Sequence, residues 1–122
     1  MKKLLLILIC LFVSFEVKSK SDDLSGKKIV CEDSNYITGF NFVDNTQVKR
    51  TSIDIKRGTS YSNDSNYKTT PVEIAAGNYS IDRLTLKIGV NTECKLIEGN
   101  FDSYMDEWLE NIVNEIKSKQ KI

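Results

Sequence analysis

Gly77-Asn78-Tyr79-Ser80-Ile81-Asp82-Arg83-Leu84-Thr85-Leu86-Lys87-Ile88-Gly89-Val90 decides the fold class. Apolar side chains recur at Tyr79 and Ile81, then at Leu84, Leu86, Ile88 and Val90. Period two marks a strand with one buried face, because successive side chains point to opposite sides of a sheet. The phase slips once, between Ile81 and Leu84. Such a slip turns every later side chain to the other face, so residues 82–85 are expected to hold a tight turn or a bulge. Asp82 and Arg83 sit at the slip and read as a local ion pair that fixes the turn, a matter of geometry rather than function. Cys94 follows directly, and then the one strong helix pattern of the chain.

Short alternating segments recur upstream. Lys28-Ile29-Val30-Cys31 reads as a first strand, and Ile37-Thr38-Gly39-Phe40-Asn41-Phe42-Val43 as a second with Phe40 and Phe42 on one face. Asp44-Asn45-Thr46 is a hairpin signal, and residues 47–56 return from it. There Val48 lies on one phase and Ile53 and Ile55 on the other, which suggests a second bulge; Lys49, Arg50 and Lys56 are expected to face water. Residues 57–70 are rich in Ser, Asn and Thr and cannot build a core. They exceed the usual hairpin loop, so they are expected as either a long connection or an exposed edge hairpin. Strand pattern resumes at 70–75, with Pro71, which lacks a donor, at a strand start or edge. Glu93-Cys94-Lys95-Leu96-Ile97 is the last strand. Six to eight short strands in succession, with no helical stretch between them, give a mainly β (α+β) class: an antiparallel meander sheet or partial barrel.

One C-terminal amphipathic helix completes the pattern. Asn100 is an N-cap candidate, and residues 101–119 place Phe101, Tyr104, Met105, Trp108, Leu109, Ile112, Val113 and Ile116 on one face. Acidic residues crowd its start and lysines its end, as the helix dipole favours. The helix is expected to pack on the sheet with Trp108 as its main anchor. The sharper alternative is a partner-binding helix that offers the same face to another chain.

The chain of 122 residues has room for one domain. Met1-Lys2-Lys3 is followed by an apolar run of 12 residues, Leu4 to Phe15, and by Val17-Lys18-Ser19, the arrangement of a secretory signal peptide over 1–19. The run is too short for a stable membrane span, which needs roughly 20 residues, so none is expected after signal cleavage. Residues 20–27 read as a flexible leader and 28–122 as a single β domain. Without Lys2, Lys3, Lys18 and Glu16, 14 basic and 16 acidic residues remain. No basic excess is left to displace counterions, so no nucleic-acid partner is expected. The remaining cysteines are Cys31 and Cys94, an even count in an exported chain, and they are expected to form a disulfide.

Chemistry-bearing residues are sparse. The chain has no histidine, which removes Ser–His and Cys–His nucleophile pairs and the usual zinc sites. No P-loop, dinucleotide fingerprint or EF-hand loop occurs. Asp22-Asp23 and Asn63-Asp64-Ser65 lack a full ligand set, so neither a metal nor a cofactor is expected. Asn63-Asp64-Ser65 and Asn78-Tyr79-Ser80 match the glycosylation sequon, a weak signal. Tyr61 and Tyr67 stand on the polar 57–70 stretch as aromatics do on binding loops, where a rigid ring supplies contact area at low entropic cost. The competing reading folds one or both back to cap a barrel.

An early strand cysteine (Cys31), short alternating strands over 29–97 and a late strand cysteine (Cys94) resemble small bacterial periplasmic β-barrel proteins, the C-type lysozyme inhibitors among them. The likeness is one of architecture. The Ser-Gly-x-x-Tyr type loop with which those inhibitors block the lysozyme cleft is absent, Gly58-Thr59-Ser60-Tyr61 does not match it, and no site residue carries over. The chain also resembles short exported proteins of AT-rich bacteria, which implies no activity. The sequence therefore points to a periplasmic or secreted, non-enzymatic binding or interaction module, for an unknown protein or small ligand. An inhibitor of a cell-wall hydrolase is the alternative, and a weak carboxylate-based hydrolase the third reading.

Overall fold

A computed structural model describes residues 21–122; the expected signal peptide lies outside the described residues. Eight antiparallel strands follow in chain order: β1 (Lys28–Glu32), β2 (Tyr36–Phe42), β3 (Gln47–Asp54), β4 (Thr59–Thr69), β5 (Glu73–Ala76), β6 (Tyr79–Asp82), β7 (Lys87–Ile88) and β8 (Thr92–Leu96). Each pairs with the next, and β8 pairs with β1, so the meander closes into a barrel. The helix α1 (Phe101–Ser118) lies against the outer wall.

The closing seam is covalent. Cys31 and Cys94 are register partners across β1 and β8 and are joined by a disulfide with a sequence separation of 63. The loop-entropy relation assigns a ring of that size about 4 kcal/mol of stabilisation.

Alternation along the strands sorts two cores. Ile29, Cys31, Phe40, Phe42, Val48, Tyr67, Ile74, Ala76 and Ile81 fill the barrel interior. Val30, Ile37 and Ile53 point outward and are buried under Phe101, Met105 and Ile112 of α1. Strands β1–β3 are thus buried on both faces. That accounts for the mixed phase of residues 47–56: β3 pairs with β2 and with β4 in unbroken register, and the expected bulge is absent.

Gly39 makes the helix contact possible. A Cβ there would stand 2.7 Å from the Phe101 ring and 2.8 Å from the Met105 sulfur. Asn100 caps α1 as expected, its Oδ1 accepting from Ser103 N at 2.9 Å. The anchors are Phe101, Met105 and Ile112, whereas Trp108, expected as the main one, is only half-buried at the margin.

Three further expectations are corrected. Residues 57–70 are neither a long connection nor an exposed edge hairpin: Thr59–Thr69 form β4, at 11 residues the longest strand among the described residues, paired with β3 on one side and β5 on the other. Residues 84–90 give only the two-residue β7, with Leu84 76% and Val90 89% exposed. The turn at Asp82 is as expected, its Oδ1 accepting from Leu84 N and Thr85 N, but Arg83 pairs with Asp22 at 2.8 Å rather than with Asp82.

Residues 21–27, expected as a loose leader, lie across one end of the barrel. Asp22 N donates to Thr69 Oγ1 at 2.6 Å, Leu24 N to the Tyr67 hydroxyl at 2.9 Å, and Gly26 N to Phe42 O at 2.9 Å. Leu24 packs on the inner core behind them. Among the described residues, no helix is long and apolar enough to cross a membrane.

Candidate functional site

With one end closed, the inward-facing residues at the other end form a cup. Its cavity of about 370 Å³ is lined by Tyr36 and Thr38 of β2, Arg50, Ser52 and Asp54 of β3, Thr59 and Tyr61 of β4, Tyr79 of β6, and Ile88, Asp33 and Thr92 beyond them. An eight-strand barrel leaves an interior that side chains can fill or that can hold one small ligand. This one does both, filled at the leader end and hollow at the mouth.

Strand register places each lining group. Val48 points inward, so Arg50 and Ser52, two and four residues on, point inward as well. Arg50 lies beside Phe40 on β2 and Asn63 on β4, and is half-buried. Its Nε donates to Asn63 Oδ1 at 3.1 Å and its Nη1 to the Tyr79 hydroxyl at 2.8 Å. The guanidinium carbon is 5.1 Å from the Tyr79 ring centroid and 5.8 Å from that of Tyr61, both within cation–π range. Tyr79 in turn meets Phe40 edge-on at 5.4 Å, which couples the cup floor to the apolar core.

Two carboxylates stand at the mouth, each set by a turn. Asp33 Oδ1 accepts from Asn35 N and Tyr36 N at 2.7 and 2.8 Å. Asp54 Oδ1 accepts from Lys56 N and Arg57 N at 3.0 and 3.1 Å. Their second oxygens are less engaged: Asp33 Oδ2 lies 3.4 Å from Thr92 Oγ1, and Asp54 Oδ2 lies 3.9 Å from Arg57 Nε. Among the described residues, no group of three His, Cys, Asp or Glu side chains is gathered as metal ligands.

The two tyrosines singled out in the sequence are not brought together. Tyr61 lines the cup and is 61% exposed. Tyr67 is buried at the closed end, stacked edge-on with Phe42 at 4.8 Å, its hydroxyl donating to Asp44 O at 2.7 Å. Arg50, expected in water, is the principal residue that sequence reading missed; its shared phase with Val48 was the available signal. Asn63, the first sequon asparagine, is committed to Arg50 inside the barrel wall.

Comparison with family models, with curated proteins and with solved structures finds no match for this chain.

Proposed function

We propose that the protein is an exported, non-enzymatic binding module that receives a small ligand in the open mouth of its barrel. The observation that carries this reading is the cup itself: a cavity of about 370 Å³ in which Arg50, Tyr36, Tyr61 and Tyr79 converge, backed by a closed, apolar barrel end. A few convergent polar groups among aromatic walls are what small-ligand sites share. Binding is favoured over hydrolysis because both mouth carboxylates are tied into turns by main-chain donors. The disulfide and the signal-like first 19 residues support export to the periplasm or beyond.

The inhibitor reading is second. It calls for a protruding ordered loop, and the stretch best suited to supply one, residues 57–70, is spent on β4.

A fragment titration of the isotope-labelled protein tests the proposal. Amide and side-chain shifts are expected to cluster at Tyr36, Arg50, Ser52, Tyr61 and Tyr79. A chemically diverse fragment set that produces no cluster at the mouth would overturn it.

A further inference from the structure

Among the described residues lining the cup, Arg50 is the one cation and Asp33 and Asp54 are the two carboxylates. Their heights differ. Arg50 is in the middle of β3, next to the Phe40 layer of the core, whereas Asp54 ends β3 and Asp33 follows the end of β1. Positive charge is therefore deep and the carboxylates are at the rim, where the exposed Arg57 stands 3.9 Å from Asp54 while, among the described residues, Asp33 has no cation partner.

A guanidinium has five N–H donors. Asn63 and the Tyr79 hydroxyl engage two groups of Arg50, Nε and Nη1. Among the described residues no carboxylate pairs with it. The remaining donors have the planar fork that matches a carboxylate. Tyr61 and Tyr79 hold the fork in place through their ring faces. A simple anion would be attracted by the floor but repelled by the rim, and a simple cation the reverse. A molecule carrying both charges, separated by a short spacer, meets each with its opposite.

We propose that the cup binds a small zwitterion of the amino-acid type, its carboxylate on the Arg50 guanidinium and its ammonium toward Asp54 and Asp33. This rests on the binding reading of the same cup. The cavity lies at the low end of the ~300–1,000 Å³ usual for ligand pockets, which suits a single amino acid or a dipeptide. Tyr36 and Tyr61 on the flanking strands favour an aromatic or flat apolar side chain.

Three probes separate the charges: L-phenylalanine, 3-phenylpropionate, which lacks the ammonium, and 2-phenylethylamine, which lacks the carboxylate. Each is titrated to millimolar concentration against the oxidised protein and followed by shifts of the Arg50 side chain and the mouth amides. L-Phenylalanine is expected to bind at the mouth at least about tenfold more tightly than either single-charge analogue, as charge-assisted hydrogen bonds imply. Arg50→Gln should abolish the advantage of the carboxylate. Asp54→Asn, which keeps the acceptor for the turn, should reduce only the advantage of the ammonium. Equal binding of all three at the mouth, with both variants unaffected, would overturn the zwitterion assignment and leave the cup as a site. No mouth shift with any of the three overturns the assignment as well, and a diverse fragment set then decides separately whether the cup binds anything. Unchanged far-ultraviolet and near-ultraviolet spectra of both variants establish that they are folded.

Discussion

A hydrogen atom in place of a methyl group sets how closely α1 approaches the barrel. Gly39 has ordinary backbone geometry, so its requirement is steric: the Phe101 ring and the Met105 sulfur occupy the space a Cβ would take. Gly39→Ala is expected to destabilise the fold by about 1–3 kcal/mol, the usual cost of overpacking, as read from the urea midpoint at constant slope. At this scale the sequence was informative where one rule applied and misleading where two competed. Asn100 as N-cap and the Cys31–Cys94 pair followed from single, local or compartmental arguments. For Arg50 the two rules conflict: charge points to water, phase to the interior. Its inward position followed from Val48, but an arginine inside a barrel is expected only where a mouth stays open to solvent, and no residue-level signal marks the mouth.

At the scale of the element, α1 and β4 illustrate opposite cases. The helix was readable because its apolar face, cap and charge gradient agree with one another. Its anchor was not, because a wide apolar stripe does not say which part meets the sheet. Phe101→Ala is expected to cost about 3–5 kcal/mol, as truncation of a buried aromatic does. Trp108→Ala should cost about 1–2 kcal/mol, since the indole is only half-buried. Tryptophan emission in the native protein is expected at an intermediate, partly solvated wavelength. Equal costs for the two substitutions would contradict the placement of the helix. Strand β4 carries no hydropathy pattern because its inward residues Thr59, Tyr61 and Asn63 face the cup or its wall and need not be apolar. The even spacing of Tyr61 and Tyr67, six residues apart on one face, was the remaining trace of period two. Residues 84–90 are the converse, with period two but little strand: Leu84 and Val90 are apolar but exposed, and only Lys87 and Ile88 form β7.

For the molecule as a whole, several turns depend on ionised aspartates. Main-chain donors from Thr46 and then Gln47 hold the Asp44 carboxyl below its ordinary value of 3.8. Thr85 N and then Leu84 N do the same for Asp82, and the Ser25 hydroxyl and then its amide for Asp23. A carboxyl depressed in this way contributes in full above its unfolded value and loses the contribution as pH falls through the folded one. Stability is therefore expected to be flat near neutrality as far as these groups are concerned, and to decline below about pH 4. Urea midpoints across that range measure it, and Asp44→Asn should shallow the decline. The meander order and the helix were legible in the sequence because neighbouring strands pair in chain order. A partial barrel was legible as well, since the expected Cys31–Cys94 bond ties the first strand to the last; the full in-register pairing of β8 with β1 was not, because it depends on contacts across the whole chain. The docking of residues 21–27 was not either, because polar backbone contacts carry no hydropathy pattern.

The covalent seam between β1 and β8 also has a mechanical meaning. Tension applied to the two ends of the chain enters the barrel through adjacent strands and crosses from one to the other at the Cys31–Cys94 bond. The ring of chain between them carries none of the load. Oxidised protein stretched in a force spectrometer should lengthen only by its leader, its helix and the short ends of the two strands. After reduction the same pull should release a further ~210–230 Å, the extended length of the 63-residue separation. In the oxidised state, the wall that forms the cup would keep its chain length under loads that strip the helix from its surface.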